Sequence, residues 1–140
     1  MGLLYRGILR AAGADTAGAL ADFAAVGRRL PGEWLALAAR GFAALLRHDT
    51  AAAVSAAQSW DAMMAPWYAA GVGNSVYMGP DDLWLAAGRR AEAIDSWERQ
   101  PPSAKRYWNM RDAAARDPAL ASDPRFQRLL AATTPPSEFR

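Results

Sequence analysis

Arginine is the side chain whose placement along this chain most suggests chemistry. Arg6 and Arg40 stand thirty-four residues apart, each immediately before a glycine (Gly7, Gly41), and Arg10 and Arg47 follow along the same segments. Planar guanidinium groups set at the same point of successive helices can take carboxylates through paired, charge-assisted hydrogen bonds, so these four residues are candidate contacts for an acidic peptide. Asp22, Glu33 and Asp49 are the internal carboxylates that could neutralise them instead. A second set is aromatic. Trp67, Tyr68 and Tyr77 flank Gly71-Val72-Gly73-Asn74-Ser75, and Trp67, Tyr68, Asn74 and Tyr77 form a candidate small-ligand pocket. The glycine run offers amides to an anion, but it follows no expected strand and carries no lysine, which leaves it a fragment of a phosphate-binding motif.

Other reactive groups are sparse. His48 is the only histidine and cysteine is absent, so neither a multi-histidine metal site nor a disulfide or thiolate site can form. Asp81 and Asp82 are adjacent and would point about 100° apart on a helix; helix-start electrostatics accounts for them better than paired acid/base catalysis. Lys105-Arg106-Tyr107-Trp108-Asn109-Met110-Arg111 mixes basic and aromatic residues in a way that can stack bases. At helical spacing Tyr107, Met110 and Ala114 share a core face with Ser103, leaving Lys105, Arg106 and Arg111 to solvent. Six tryptophans supply large surfaces for burial between helices, and exposure of one or two of them would mark a protein-binding hot spot. The expectation is a non-enzymatic chain with no cofactor.

A formal net charge of +2, carried almost entirely by arginine, is too small an excess for a nucleic-acid-binding face. No stretch has the length and composition of a signal peptide or membrane span, and Arg6 occupies the place where a myristoylation signal needs Ser or Thr. A cytoplasmic setting without membrane contact is the default.

The elements that would position these residues are helical. Leu3 to Ala12 carries helical periodicity, Gly13-Ala14 closes it, and Asp15 or Thr16 can cap a second helix running to about Arg29, with Leu20, Phe23 and Ala24 inward. Trp34, Leu37, Ala38, Gly41, Phe42, Leu45 and Leu46 line one face of a third helix, and the mid-helix Gly41, like Gly7, implies close approach of a neighbour. Thr50 to about Met63 forms the fourth, with Val54, Ala57 and Trp60 inward. Met64 to Pro80 reads as a packed irregular insertion, because Pro66, Gly71, Gly73, Gly79 and Pro80 disfavour continuous helix. Pro80-Asp81-Asp82 then starts a helix. A further helix follows through Ala91, Ala93, Ile94 and Trp97, and Pro101-Pro102 stops it. Ser103 caps another helix, and Asp123-Pro124-Arg125-Phe126 opens a last one after two short turns.

Arg6 to Leu20 and Arg40 to Val54 match at Arg6/Arg40, Gly7/Gly41, Asp15/Asp49, Thr16/Thr50, Ala17/Ala51 and Ala19/Ala53; Ala91, Ala93 and Ile94 repeat the pattern at an offset of forty. With Gly7, Gly41, Ala19, Ala53, Phe23 and Pro31 in these places, the chain resembles a tetratricopeptide-repeat array. Arg6 and Arg40 stand where that family prefers an apolar residue. The Asp123 to Phe126 element is similar to the segment closing repeat regions in bacterial adenylate-cyclase-like proteins, transcription regulators and repeat-bearing kinases. The resemblance implies an all-α short solenoid of helical hairpins at about 2–30, 32–64 and 67–100, capping helices at 103–132 and a flexible tail at 133–140. It implies a scaffold that binds another protein or peptide, as a separate module or as the C-terminal part of a larger bacterial regulator. Self-association is a further route to covering apolar faces, and a small-ligand or enzymatic site near 67–78 is the alternative.

Overall fold

The computed structural model describes residues 2–73 and 78–133. Among them it is all-helical and contains no strand. The helices are α1 (Gly2–Ala12), α2 (Thr16–Arg29), α3 (Trp34–Leu46), α4 (Thr50–Ala69), α5 (Pro80–Ala86), α6 (Arg90–Arg99), α7 (Ala104–Arg116), α8 (Pro118–Ala121) and α9 (Pro124–Ala132). From α1 to α6 each helix packs against the next; α1 also touches α3, α3 touches α5, and α4 touches α6. Helix α9 packs on α6 and α7.

Three turns of one geometry set this order. Ala14, His48 and Gly88 occupy the left-handed region, with φ of 62°, 59° and 74°. The following amides, of Asp15, Asp49 and Arg89, donate back to the carbonyls of Arg10, Ala44 and Trp84 at 2.8, 2.9 and 2.9 Å. Such closures satisfy the carbonyls left over at a helix end and reverse the chain within a few residues. Asp15 and Asp49 also accept from the amides of Gly18 and Ala52, both at 2.9 Å, capping α2 and α4. The offsets of thirty-four and forty seen in the sequence are therefore offsets between equivalent turns.

Small residues fix how closely the helices meet. A Cβ on Gly7 would fall 2.6 Å from Cε1 of Phe23, and one on Gly41 would overlap the Leu83 side chain, with Cδ1 at 2.8 Å. The close approach expected at both glycines is present, but toward different neighbours: α2 for Gly7 and α5 for Gly41. Helix α3 is buried more widely than one amphipathic face. Leu37, Ala38 and Gly41 are buried as expected, and so are Ala36, Ala39, Ala43 and Ala44. A helix apolar nearly all round needs neighbours on several sides. Aromatic pairs tie these layers together: Phe23 with Phe42 (centroids 6.3 Å apart), Trp34 with Trp60 (5.4 Å) and Trp97 with Phe126 (5.7 Å).

Several sequence expectations are corrected. Helix α4 does not stop near Met63 but continues through Pro66 to Ala69, so residues 67–69 belong to α4 and the next helix begins at Pro80. Proline removes one helical hydrogen bond there. The compensation is that Met64 and Tyr68 prolong the inward stripe of Ala53, Ala57 and Trp60. Ala24 is exposed, while Asp22 and Phe23 are buried. Arg106, expected in solvent, is 6% exposed: the inward face of α7 runs through Arg106, Met110 and Ala113, one residue away from the expected one. Thr133 is not frayed. Its hydroxyl is buried and accepts from Arg106 Nη2 at 2.6 Å. The rest of the expected tail, 134–140, lies outside the described residues. Ser103, Asp123 and Pro124 stand at the helix starts where the sequence puts them.

Candidate functional site

The four candidate arginines divide into two pairs. Arg6 and Arg10 lie one turn apart on α1 and converge on Asp22 of α2, which is 4% exposed. Arg6 donates through Nε and Nη2 to the two carboxylate oxygens at 2.8 and 2.6 Å, and Arg10 Nη1 donates to Oδ2 at 3.1 Å. The Arg6 hydrogen bond holds the Asp22 carboxyl below the usual carboxylate range against the opposing effect of burial. The same bond raises the Arg6 guanidinium. These cations are engaged inside their own hairpin, as the Asp22 alternative in the sequence allows.

Arg40 and Arg47 are different. Thirty-four residues after Asp22 stands Ala56, so the second copy has no equivalent carboxylate. Both arginines are exposed, and neither makes an ion pair among the described residues. They line a groove of about 330 Å³ between α2 and α3. Its walls include Leu20, Phe23 and Ala24 of α2 with Ala36, Ala39 and Ala43 of α3, and Pro31-Gly32 closes one end. The groove therefore combines an apolar lining with two guanidinium groups whose full hydrogen-bonding capacity is available, a setting that suits an apolar segment carrying negative charge. No histidine or acidic residue lies among its lining residues.

Of the aromatic set, Trp67 and Tyr68 do not share one wall. Trp67 and Tyr68 are adjacent on α4 and point apart: Trp67 is 57% exposed, with Met63 exposed one turn earlier, and Tyr68 is 6% exposed. Asn74 and Tyr77 lie outside the described residues, as does Ser75 of the glycine-rich anion fragment. Of the six tryptophans, Trp67 and Trp108 are the exposed ones. Tyr107 packs edge-on against Trp108 with centroids 5.3 Å apart, and Arg111 sits over the Tyr107 ring at 5.8 Å.

Two buried carboxylates form polar centres: Asp61, for which the sequence carries no expectation, and Asp81, expected at the start of a helix. Asp61 of α4 accepts from Trp84 Nε1 at 2.6 Å, Ser96 Oγ at 2.8 Å and Arg99 Nη2 at 2.9 Å, so it joins α4 to α5 and α6. Asp81 is 1% exposed and accepts from Gln100 Nε2 at 3.0 Å. Burial pushes its carboxyl up to about 7; the neighbouring Asp82 charge adds to the rise and the Gln100 bond opposes it. The Trp97 indole N–H turns toward Asp81 and pulls the same way as Gln100, without reaching hydrogen-bond geometry. Burial also raises Asp82, whose carboxylate caps α5 by accepting from the Gly79 amide at 2.8 Å. The Tyr68 hydroxyl, raised by burial and then by the Asp81 and Asp61 charges, has no hydrogen-bond partner among the described residues. Arg106 donates to the carbonyls of Trp97 and Gln100, and burial lowers its pKa. These groups lie in the packed junction of α4, α5, α6 and α7 and serve to hold it together.

His48 sits exposed in its turn. Among the described residues no three His, Asp or Glu side chains gather as a metal site, and no helix is long and apolar enough to cross a membrane. Compared with protein-family models, with curated proteins and with solved structures, the chain matches none.

Proposed function

We propose that this chain is a cytoplasmic, non-catalytic interaction module: a short array of tetratricopeptide-repeat-like hairpins, closed at one end by α7 to α9, that holds a segment of another protein between α2 and α3. The observation that carries this reading is the contrast between equivalent arginines. In the first hairpin Asp22 neutralises Arg6 and Arg10; in the second, Ala56 leaves Arg40 and Arg47 open to an outside carboxylate at the edge of an apolar groove. The equivalent turns at Ala14, His48 and Gly88 support the hairpin array. The packing of α9 on α6 and α7 supports the closing role of the C-terminal helices. Exposed Trp67 offers a second contact of the kind enriched at binding hot spots.

A photo-crosslinking residue at Ala24, exposed at the groove, tests this in the full chain expressed in its source cells. Partner adducts should form there and fall sharply in an Arg40→Ala, Arg47→Ala background. Adducts that persist unchanged in that background, or that form equally from a probe at exposed Ser59 on α4, would overturn the assignment of the groove.

A further inference from the structure

Resting on that reading of the groove, we infer that its occupant is an acidic amphipathic helix, with two carboxylates seven residues apart and an apolar side chain between them. The spacing comes from α3. Arg40 lies on α3 and Arg47 caps its C-terminal end seven residues later, two helical turns or about 10.5 Å along the axis. A partner helix lying nearly parallel or antiparallel to α3 brings residues i and i+7 to the same separation, and its residue at i+3 or i+4 falls between the arginines. Ala43 lines that middle stretch and Ala39 the end beside Arg40, with Phe23 behind them. Small residues on this face let the second helix approach closely, and an opening of about 330 Å³ admits its side chains while the helix itself lies across the mouth.

The choice of helix over extended chain follows from hydrogen bonding. The groove is walled chiefly by the middle turns of two α-helices, whose backbone amides and carbonyls are used internally, so it presents mostly alkyl surface flanked by guanidinium groups. An extended segment laid there would lose water from its own amides and carbonyls without gaining partners, at a cost for each buried group. A helix satisfies its backbone by itself and offers only side chains, the mode in which amphipathic helices dock into apolar grooves. The charge on the rim sets the sign: two unpaired cations favour a partner with carboxylates at the matching positions and reject one with lysines.

The test is selection of two displayed peptide libraries against the full chain. One is helix-forming and about 20 residues long, enough for a stable turn structure, with variation on one face; the other is made extended by regular prolines. The helical library should yield sequences with Asp or Glu at i and i+7 around Leu, Ile, Met or Phe. Binding of a selected peptide should weaken about tenfold or more in the Arg40→Glu, Arg47→Glu variant at low salt. A version of that peptide with lysines in place of both acids should bind the charge-reversed variant and not the parent chain. Both substitutions are at exposed positions, and an unchanged circular dichroism spectrum and melting temperature would show that the variant is folded. Enrichment only from the extended library, with binding still lost in the variant, would overturn the helical occupant and leave the groove standing. Selected peptides indifferent to the charge reversal, or no enrichment from either library, would overturn both.

Discussion

Replacing Asp81 with asparagine should stabilise the fold at pH 8 and remove a pH dependence that the parent chain shows between pH 5 and 8. Asp81 is 1% exposed and accepts one strong hydrogen bond, from Gln100. The groups facing it are Tyr68 from α4, its neighbour Asp82, Trp97 from α6, Gln100 just past the end of α6 and Lys105 from α7. Of these only Lys105 is a cation, and burial lowers its own pKa. With a carboxyl pKa of about 7 in the folded chain and 3.8 as the ordinary value, the native state prefers the neutral acid. The associated stability is fully present below about pH 4 and is lost as pH rises toward 7, the reverse of a carboxylate held by a salt bridge. Linkage over that interval gives a loss of about 2–3 kcal/mol between pH 5 and pH 8, and the raised Asp82 adds in the same direction.

Carboxyls with lowered values, among them Asp22, Glu92, Glu98 and Asp117, act in a separate window. Their contribution is present above about pH 4 and disappears as pH falls below it, so it does not mask the Asp81 effect. In the Asp81→Asn variant the side-chain oxygen keeps the Gln100 bond. Urea unfolding followed by circular dichroism and tryptophan fluorescence at pH 5, 6, 7 and 8 measures both chains. The parent midpoint should fall with pH, and that of Asp81→Asn should fall much less. A parent midpoint that is flat or rises over this range, or an equal slope in the variant, would refute the reasoning.

Gly41→Ala should destabilise by about 1–2 kcal/mol in thermal or urea melts, because the overlap with Leu83 outweighs the roughly 1 kcal/mol gained in helix propensity. Gly27→Ala, with nothing within 4 Å of the added carbon, should stabilise by about 0.5–1 kcal/mol in the same assay. Ala14→Gly and His48→Gly relieve left-handed backbone at the two non-glycine turns. After the entropy cost of glycine, each should raise stability by about 0.5 kcal/mol, whereas Gly88→Ala should lower it by about 1 kcal/mol. Asp61→Ala strands the donors of Trp84 and Ser96 and should cost about 3 kcal/mol. A melting temperature unchanged by Asp61→Ala would show that the junction does not depend on that carboxylate.

Most of the helical order was legible because its signals are local. Three-residue turns with Asp at the cap, a proline at the first helical position of α5 and α9, and apolar residues at three- and four-residue spacing all act within a few residues of themselves. Pro66 misled for the same reason: proline and the glycines after it are local breakers, whereas what holds α4 together past them is the burial of Met64 and Tyr68 on a stripe begun at Ala53. That stripe is written in the sequence at helical spacing, and following it through the proline would have found the helix. The burial of Asp61, Asp81 and Arg106 carries no such trace. Whether a charged side chain is interior depends on donors and acceptors that arrive from elsewhere in the chain, thirty-eight residues away in the case of Arg99 and Asp61.

The arginines lie between these extremes and show where tandem comparison is most informative. Matching Arg6 with Arg40 suggests a ladder of equal groups. The distinction between them comes from matching their partners: Asp22 faces Ala56 across the same offset, and Phe23 faces Ala57. The first substitution removes the internal counter-charge, so Arg40 keeps its charge available at the surface while Arg6 does not. The second is coupled to the backbone beside it. Gly7 makes room for Phe23 within its own hairpin, whereas Gly41, with only Ala57 at the equivalent place, receives Leu83 from α5 instead. Divergence at two adjacent positions of α4 thus goes with a change in what the matching glycine packs against and in whether its neighbouring arginine is paired within the chain. In the function proposed above, the matching residues build the array and the positions at which the two hairpins differ set what it binds.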